Sequence, residues 1–225
     1  SSGLRERIGS SAFLQLELSA PEAKQALIQA IKDHGVSSVI HLAAQKQVGV
    51  SVQQPELYYE QNIGGMTNLL AAMRETGVDR LVFSSSAATY GMPDVDSVTE
   101  EYPGVPINPY GETKLIGEWM VRNAKVWGLK GVNLRYINVA VCGVPELNDT
   151  APLNLIPIAI AALKAGKSPI VFGEDYPTAD GSCIRDYVHV SDLALAHLAA
   201  VDYLQRPERE FATFNVGTGV GDDGG

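Results

Sequence analysis

Short apolar runs alternate with longer segments of helical period along this chain, and that alternation restricts the fold more than any other feature of the sequence. Phe13-Leu14-Gln15-Leu16-Glu17-Leu18 alternates like a strand. Pro21 suits a helix start, and Ala26, Leu27, Ala30 and Ile31 make one apolar stripe before Gly35. Residues 36–42 read as a buried strand. A helix is expected over 55–77, with Ile63, Met66, Leu69, Leu70 and Met73 on its apolar side and Gly77 as its stop. Residues 80–84 form the next strand, 111–126 a helix, and 132–137 a strand again. Such alternation is the signature of βαβ units on a parallel sheet, so the expected class is α/β with a doubly wound sheet. From Val139 the rhythm changes. A loop rich in Pro, Asn and Gly leads to a helix over 155–165, a short strand over 169–172 and a long polar loop, then a helix over 190–204 and a strand over 212–216. The expected division is therefore 1–139 and 140–225.

Composition excludes several kinds of partner. The 225 residues carry 17 Lys+Arg against 26 Asp+Glu, a formal net charge of −9, which disfavours nucleic acid or an anionic membrane surface. No apolar run approaches the ~20 residues of a membrane helix. The opening residues show no signal-peptide pattern, and Cys142 and Cys183 are too isolated for a disulfide framework or a zinc site. These features point to a reducing, cytoplasmic compartment and to no metal.

In an open α/β sheet, ligands bind beyond the carboxyl ends of the strands. Polar equipment stands there in 41–46, in 84–90 and in 136–138. Ser86 follows one strand, and Tyr110-Gly111-Glu112-Thr113-Lys114 opens a helix. Tyr110 and Lys114 are four apart, on one helical face. An ammonium beside a phenol stabilises the phenolate, so Lys114 is expected to lower the Tyr110 pKa from about 10 and make it a general base. A surface Tyr and Lys at helical spacing is the bland alternative, and Ser86 upstream in a βαβ chain argues against it. His41, inside an apolar strand, reads as a core histidine, and His189 and His197 as structural. Met66 and Met73 fit a helix core. Gly217-Thr218-Gly219 reads as a turn after the last strand.

Tyr-x-x-x-Lys with an upstream Ser resembles the short-chain dehydrogenase/reductase superfamily, in its extended branch acting on nucleotide sugars. Residues His41 to Val52, Phe83 to Gly91, Asn108-Pro109-Tyr110-Gly111 and the long block Phe172 to Val190 are similar to the UDP-glucose 4-epimerase group. The likeness implies a Rossmann-like NAD-binding region over 1–139, a partial nucleotide-sugar-binding region over 140–225, NAD as cofactor and a UDP-hexose as substrate. It implies inversion at C4 through a 4-keto sugar, with Tyr110 taking the C4 hydroxyl proton, Ser86 bonding the C4 oxygen and Lys114 holding the nicotinamide ribose. Leu42, Ala43, Ala44, Gln45, Lys46, Ser84 and Ile137 would line the cofactor. Asn138, Asn154, Leu155, Ile170, Val171, Phe172 and Arg185 would hold the UDP-sugar, a role that suits the fixed guanidinium of Arg185 facing a diphosphate. Relatives pair the helices over 55–77 and 111–126 into a dimer interface, so a homodimer is expected, with Met73, Leu115, Trp119 and Met120 as candidate contacts.

The sequence departs from the family pattern in places. No Gly-rich turn after a first strand is present, so the expected sheet lacks its first strands and the chain reads as truncated at both ends. Such a piece is expected to be inactive alone. Glu17 falls where the family often has an acidic adenine contact. Gln61 replaces an Asn near the nicotinamide, Ala88 a small hydroxyl residue, and Val141 a Gly. Ala87 and Ala88 stand where a sister dehydratase needs an acidic pair, so dehydration lacks its acid and base. Two readings outside that chemistry stay open: an epimerase for another UDP-hexose, and a nucleotide-sugar-binding remnant without catalysis.

Overall fold

A computed structural model describes residues 13–95, 97–140, 155–169, 178, 181 and 185–218. The chain forms two compact units, one of Leu14–Tyr136 with Ala196–Val216, the other built around Ile137–Leu195.

The first unit is a parallel sheet in the order β1 (Val39–His41), β2 (Arg80–Ser84), β3 (Lys130–Arg135), β6 (Phe211–Asn215). Helix α1 (Ala23–His34) precedes β1 and ends where the sequence puts its stop: Gly35 is left-handed at φ +59°, and its N–H bonds the Ile31 carbonyl. The segment expected as one helix over 55–77 is composite. After the short helix α2 (Val48–Gln53) come α3 (Pro55–Tyr58), a π-helical turn (Tyr59–Gly64) and α4 (Gly65–Thr76), closed by Gly77 at φ +78°. Asn108 starts α5 (Pro109–Asn123), its side chain accepting from the Gly111 N–H at 2.9 Å, with Pro109 in the first turn, where a missing N–H costs nothing. A 3₁₀ turn (Ala124–Trp127) follows.

Alternation along β2 shows the sheet is covered on both faces. Leu81 and Phe83 pack with Ile28 and Ile31 of α1, with Met66, Leu69 and Met73 of α4 and with Val121 of α5. Val82 points the other way, into a second cluster with Val132, Leu134, Ala200 and Leu204. Each of these buried apolar side chains contributes about 1.5–3 kcal/mol relative to exposure. Of the residues expected at a subunit interface, Met73 and Leu115 are buried here and Met120 packs against the first cluster, whereas Trp119 is 45% exposed.

The alternating run 13–18 is not a strand. Among the described residues no strand lies beside it to complete a ladder, and Phe13 and Leu14 are about half exposed, at 52% and 54%. Its backbone is held by side chains instead: the Leu18 carbonyl accepts from Asn68 Nδ2 at 2.8 Å. The strand expected at 36–42 shortens to Val39–His41, because Val36 N–H is still bonded to Ile31 of the preceding helix. The last strand runs Phe211–Asn215 and joins the main sheet beside β3.

In the second unit β4 (Asn138–Ala140) and β5 (Tyr187–His189) pair in parallel, two short strands the sequence pattern did not reveal. Helix α7 (Val190–Leu204) matches its expected span, and α6 (Leu155–Lys164) ends one residue before its expected end. Of the strand expected at 169–172, residues 170–172 lie outside the described residues, as do Asn154, Val141, Cys142 and Cys183.

Helix α5 approaches the sheet closely through Gly117, where an added Cβ would lie 2.6 Å from the Phe83 ring. Gly117→Ala should therefore cost about 1–3 kcal/mol through overpacking, read as a lower urea midpoint with unchanged slope. An unaltered midpoint would show that the helix has room to move.

Candidate active site

The carboxyl ends of β1 and β2 and the start of α5 converge in the first unit. Ser84, Ser85 and Ser86 leave β2 buried, and Ser86 caps a 3₁₀ turn (Ala87–Tyr90), its Oγ accepting from the Ala88 N–H at 3.1 Å. The turn is tied to the residue following β3 by Ala87 N–H donating to the Tyr136 carbonyl at 3.0 Å. Ser86 lies close enough to the Tyr110 phenol to favour its ionised form. Lys114, one helical turn along α5, is 5% exposed, and its Nζ donates to the Ser84 carbonyl at 2.7 Å and stands 5.9 Å from the centre of the Tyr110 ring. The three residues expected to carry the chemistry are thus brought together.

Their electrostatics differ from the sequence expectation. Burial raises the Tyr110 phenol above its ordinary value; Ser86 opposes the rise, while Tyr136 and Tyr58 add to it. Burial also lowers Lys114 from 10.5 to about 8. The expected depression of Tyr110 by Lys114 is absent, because the ammonium is turned to a backbone carbonyl rather than to the phenol oxygen. His41 is buried and stacks on Phe83 with ring centroids 5.9 Å apart. Burial, then the Lys114 charge, lower its pKa from 6.5 to about 4. It is a neutral core imidazole at pH 7.

The segment 42–46 leaves β1 as an exposed loop, with Leu42 61% exposed. Its backbone is not free: Gln45 N–H donates to Asn62 Oδ1 at 2.7 Å, and Gln45 O accepts from Asn62 Nδ2 at 3.1 Å. Gln61 beside it donates to Ser19 Oγ at 3.0 Å, and Glu17 accepts from the Ser19 hydroxyl at 3.2 Å. Ser84 Oγ lies 2.6 Å from His197 Nε2, so His197 shares the network beneath Lys114.

Sequence reasoning missed a buried ion pair beside the site. Glu118 and Arg135 meet in a bidentate pair of 2.6 and 2.8 Å, and Ser85 Oγ donates to Glu118 at 2.5 Å. Burial works against the Arg135 charge, but Glu118 outweighs it and holds the guanidinium above its ordinary value. The available signal was spacing: Glu118 lies four residues beyond Lys114, on the stripe that Tyr110 begins.

Ile137, Asn138, Leu155 and Arg185 belong to the second unit. Asn138 opens β4, Leu155 opens α6, and Ile137 and Leu155 are 52% and 60% exposed. Arg185 is exposed just before β5. Asp186 next to it accepts from the Thr218 N–H at 2.9 Å and hydroxyl at 2.8 Å, packed so tightly that a Cβ on Gly217 would strike its carboxylate. Asn154, Ile170, Val171 and Phe172 lie outside the described residues.

A parallel sheet covered on both faces, with a Ser–Tyr–Lys cluster at its carboxyl edge, is the frame of a dinucleotide-binding α/β protein. The chain belongs to the NAD dependent epimerase/dehydratase family, whose pattern matches residues 2–217. It is similar to the UDP-glucose 4-epimerase of Halalkalibacterium halodurans, 46% identical over 193 residues, or 84% of this chain and 58% of that protein. The chain thus spans less than two thirds of the length of that relative. Among solved structures, the UDP-glucose 4-epimerase of Brucella ovis in complex with NAD superposes with a TM-score of 0.88 at 38% identity, covering 97% of this chain and 68% of that one. The enzyme from Stenotrophomonas maltophila, with bound NAD and formylated UDP-arabinopyranose, also gives 0.88 at 38% identity, over 99% of this chain and 69% of that one.

The described residues fit the nicotinamide end of such a cofactor: an exposed loop with apolar Leu42 beyond β1, and the buried Lys114 amine of α5 bonded to the last carbonyl of β2. No helix among them is long and apolar enough to cross a membrane, and they contain no His/Cys/Asp/Glu cluster able to hold a metal.

The His41 shift has a sign that can be checked. Its folded pKa, about 4, lies below the ordinary 6.5, so between those values the unfolded chain binds the extra proton. Stability should be full above pH 6.5 and fall toward pH 4, with His41 contributing on the order of 3 kcal/mol of the loss. His41→Phe should flatten that part of the acid limb in urea denaturation at pH 4.5 and pH 7; an unchanged limb would show that His41 does not drive it.

Proposed function

We propose that the protein to which this sequence belongs catalyses NAD-dependent C4 epimerisation of a UDP-hexose, interconverting UDP-glucose and UDP-galactose through a 4-keto sugar. The observation that carries this reading is the convergence of Ser86, Tyr110 and Lys114 at the carboxyl end of β2 in a chain of the epimerase family. NAD, held by the cofactor-lining residues named below, would supply the reversible hydride exchange that inversion at C4 requires.

The remaining work falls to side chains. Tyr110 takes the proton from the C4 hydroxyl and gives one back, a general acid–base role worth about 10²–10⁴ in rate. Ser86, held by its own turn, bonds the C4 oxygen and the phenol, and so aligns the two. Lys114 contributes positive charge at the ribose side of Tyr110. Leu42, Ala43, Ala44, Gln45, Lys46, Ser84 and Ile137 line the cofactor. Asn138, Asn154, Leu155, Ile170, Val171, Phe172 and Arg185 hold the UDP-sugar. In this reading residues up to 139 serve chiefly the cofactor and those from 140 the nucleotide sugar. The enzyme works in the cytoplasm, in keeping with its two isolated cysteines.

The full-length protein should convert UDP-galactose to UDP-glucose with bound NAD, and Tyr110→Phe should lower kcat by about 10²–10⁴ while leaving UDP affinity nearly unchanged. Bound NAD and UDP-galactose without C4 inversion would overturn the assignment, and turnover confined to another UDP-hexose would move the substrate. The protein also acts as a homodimer in this reading, supported by the 45% exposed Trp119 on α5. Sedimentation at micromolar concentration should give the dimer mass, lowered by Trp119→Glu; a monomer refutes it.

A further inference from the structure

The proposed reaction gives no part to the buried histidine of α7. The sequence reads His197 as structural, yet its Nε2 lies 2.6 Å from Ser84 Oγ. His197 belongs to the stretch of α7 within the first unit. The ring of Tyr136 meets it edge-on, with centroids 6.3 Å apart and planes at 69°. Ser84 is the last residue of β2, and its backbone carbonyl accepts from Lys114 Nζ at 2.7 Å. One residue is therefore held twice, by its side chain from α7 and by its main chain from α5.

The backbone at this point explains why the hold from α7 matters. Ser84 pairs with Leu134 as the last rung between β2 and β3, and directly after it the Ser85 N–H turns back to the Phe83 carbonyl at 3.0 Å. That bond makes Ser84 the centre of a three-residue turn, a form common at strand ends. The carbonyl aimed at Lys114 thus stands where the ladder stops. Lys114 is buried, and burial holds its pKa down at about 8, so its ammonium depends on the acceptor it has. The titratable groups around it offer no negative charge at pH 7. Tyr110, on its own helix, is kept protonated chiefly by burial, and His41 of β1 is kept neutral by burial and then by the Lys114 charge. Glu118, one turn further along α5, is taken up by Arg135 and Ser85.

We infer that His197 is a positioning residue: through the Ser84 hydroxyl it fixes the end of β2 so that the Ser84 carbonyl receives the Lys114 ammonium beside Tyr110. The role deepens the epimerase reading and rests on it. Without the bond the carbonyl loses its fixed direction, and a buried ammonium without a steady acceptor gives up its proton more readily. The neutral amine then offers no charge to the phenol or to the cofactor ribose. The proposed UDP-sugar contacts do not involve this bond.

In the full-length protein with bound NAD, His197→Phe keeps a ring against Tyr136 and removes the bond to Ser84. It should lower kcat about tenfold and leave KM for UDP-galactose within about twofold. His197→Gln, whose amide can take the place of Nε2, should recover kcat to within about threefold. Ser84→Ala should match the loss, and the double variant of His197→Phe with Ser84→Ala should be no worse than either alone, because both delete one bond. Independently of turnover, the Lys114 pKa, followed by NMR of isotope-labelled lysine, should fall by about half a unit or more in His197→Phe and return in His197→Gln. A folded His197→Phe protein with the wild-type Lys114 pKa overturns the inference. So does a His197→Gln protein as impaired as His197→Phe, or a double variant in which the two losses multiply. Should His197→Phe fail to fold, Ser84→Ala takes its place in the pKa comparison, with the same outcomes. A wild-type protein that binds NAD yet never inverts C4 sinks the epimerase reading alone, because the Lys114 pKa still reports the hold on Ser84.

Discussion

Glu118 and Arg135 are both withdrawn from water and meet side chain to side chain at 2.6 Å, each less than a tenth exposed. The cost of desolvating two charges is several kcal/mol per ion, and only good geometry with further hydrogen bonds offsets it. Here the geometry is bidentate, Ser85 adds a third donor to the carboxylate, and Arg135 finds the Glu100 carbonyl at 3.3 Å and the face of Tyr90 at 4.7 Å. The pair joins α5, the end of β3 and the segment leaving β2, the elements on which the proposed active site stands. Removing one partner would strand the other charge in the interior, a loss of about 3–5 kcal/mol.

Around that pair the site is built as a stripe. Tyr110, Lys114 and Glu118 are spaced four apart on α5, so one helix face presents, in order, the phenol, the amine and the anchoring carboxylate. Gly117 lets this face lie against Phe83 without a Cβ in the way. The same packing buries Lys114 and turns its Nζ onto the Ser84 carbonyl, while the Ser84 hydroxyl is taken by His197. Burial, the ion pair and the serine run are therefore one arrangement, and each part restricts the others.

Most of the fold was legible because hydrophobic period and glycine stops are local signals. Gly35 and Gly77 ended their helices as left-handed residues, and 80–84 and 190–204 hold their full expected spans. The misreadings came where tertiary context decides. The alternation of 13–18 says which face would be buried, not whether a neighbour exists to pair with. The π turn leaves no mark in a helical pattern that it only locally rewinds. Strands β4 and β5, three residues each, fall below the length at which period can be judged. In the site, Ser86, Tyr110 and Lys114 were legible from spacing, whereas Asn62, Glu118 and Arg135 act through partners 17 or more residues away in sequence, which a local pattern does not register.

The electrostatic misreading concerns the chemistry itself. Helical spacing places an amine near a phenol, but the phenol's acidity depends on what the amine faces and on how much water remains. Lys114 faces a carbonyl, is pulled down to about 8, and leaves Tyr110 raised by burial with only Ser86 opposing. Three of the four effects acting on the phenol, burial and the neighbouring Tyr136 and Tyr58, thus run against a phenolate. A base in such a position gains ionised character only when further positive charge reaches the phenol oxygen, or when the Lys114 ammonium turns from Ser84 toward it. The chain's own residues establish the orientation of the base more completely than its basicity.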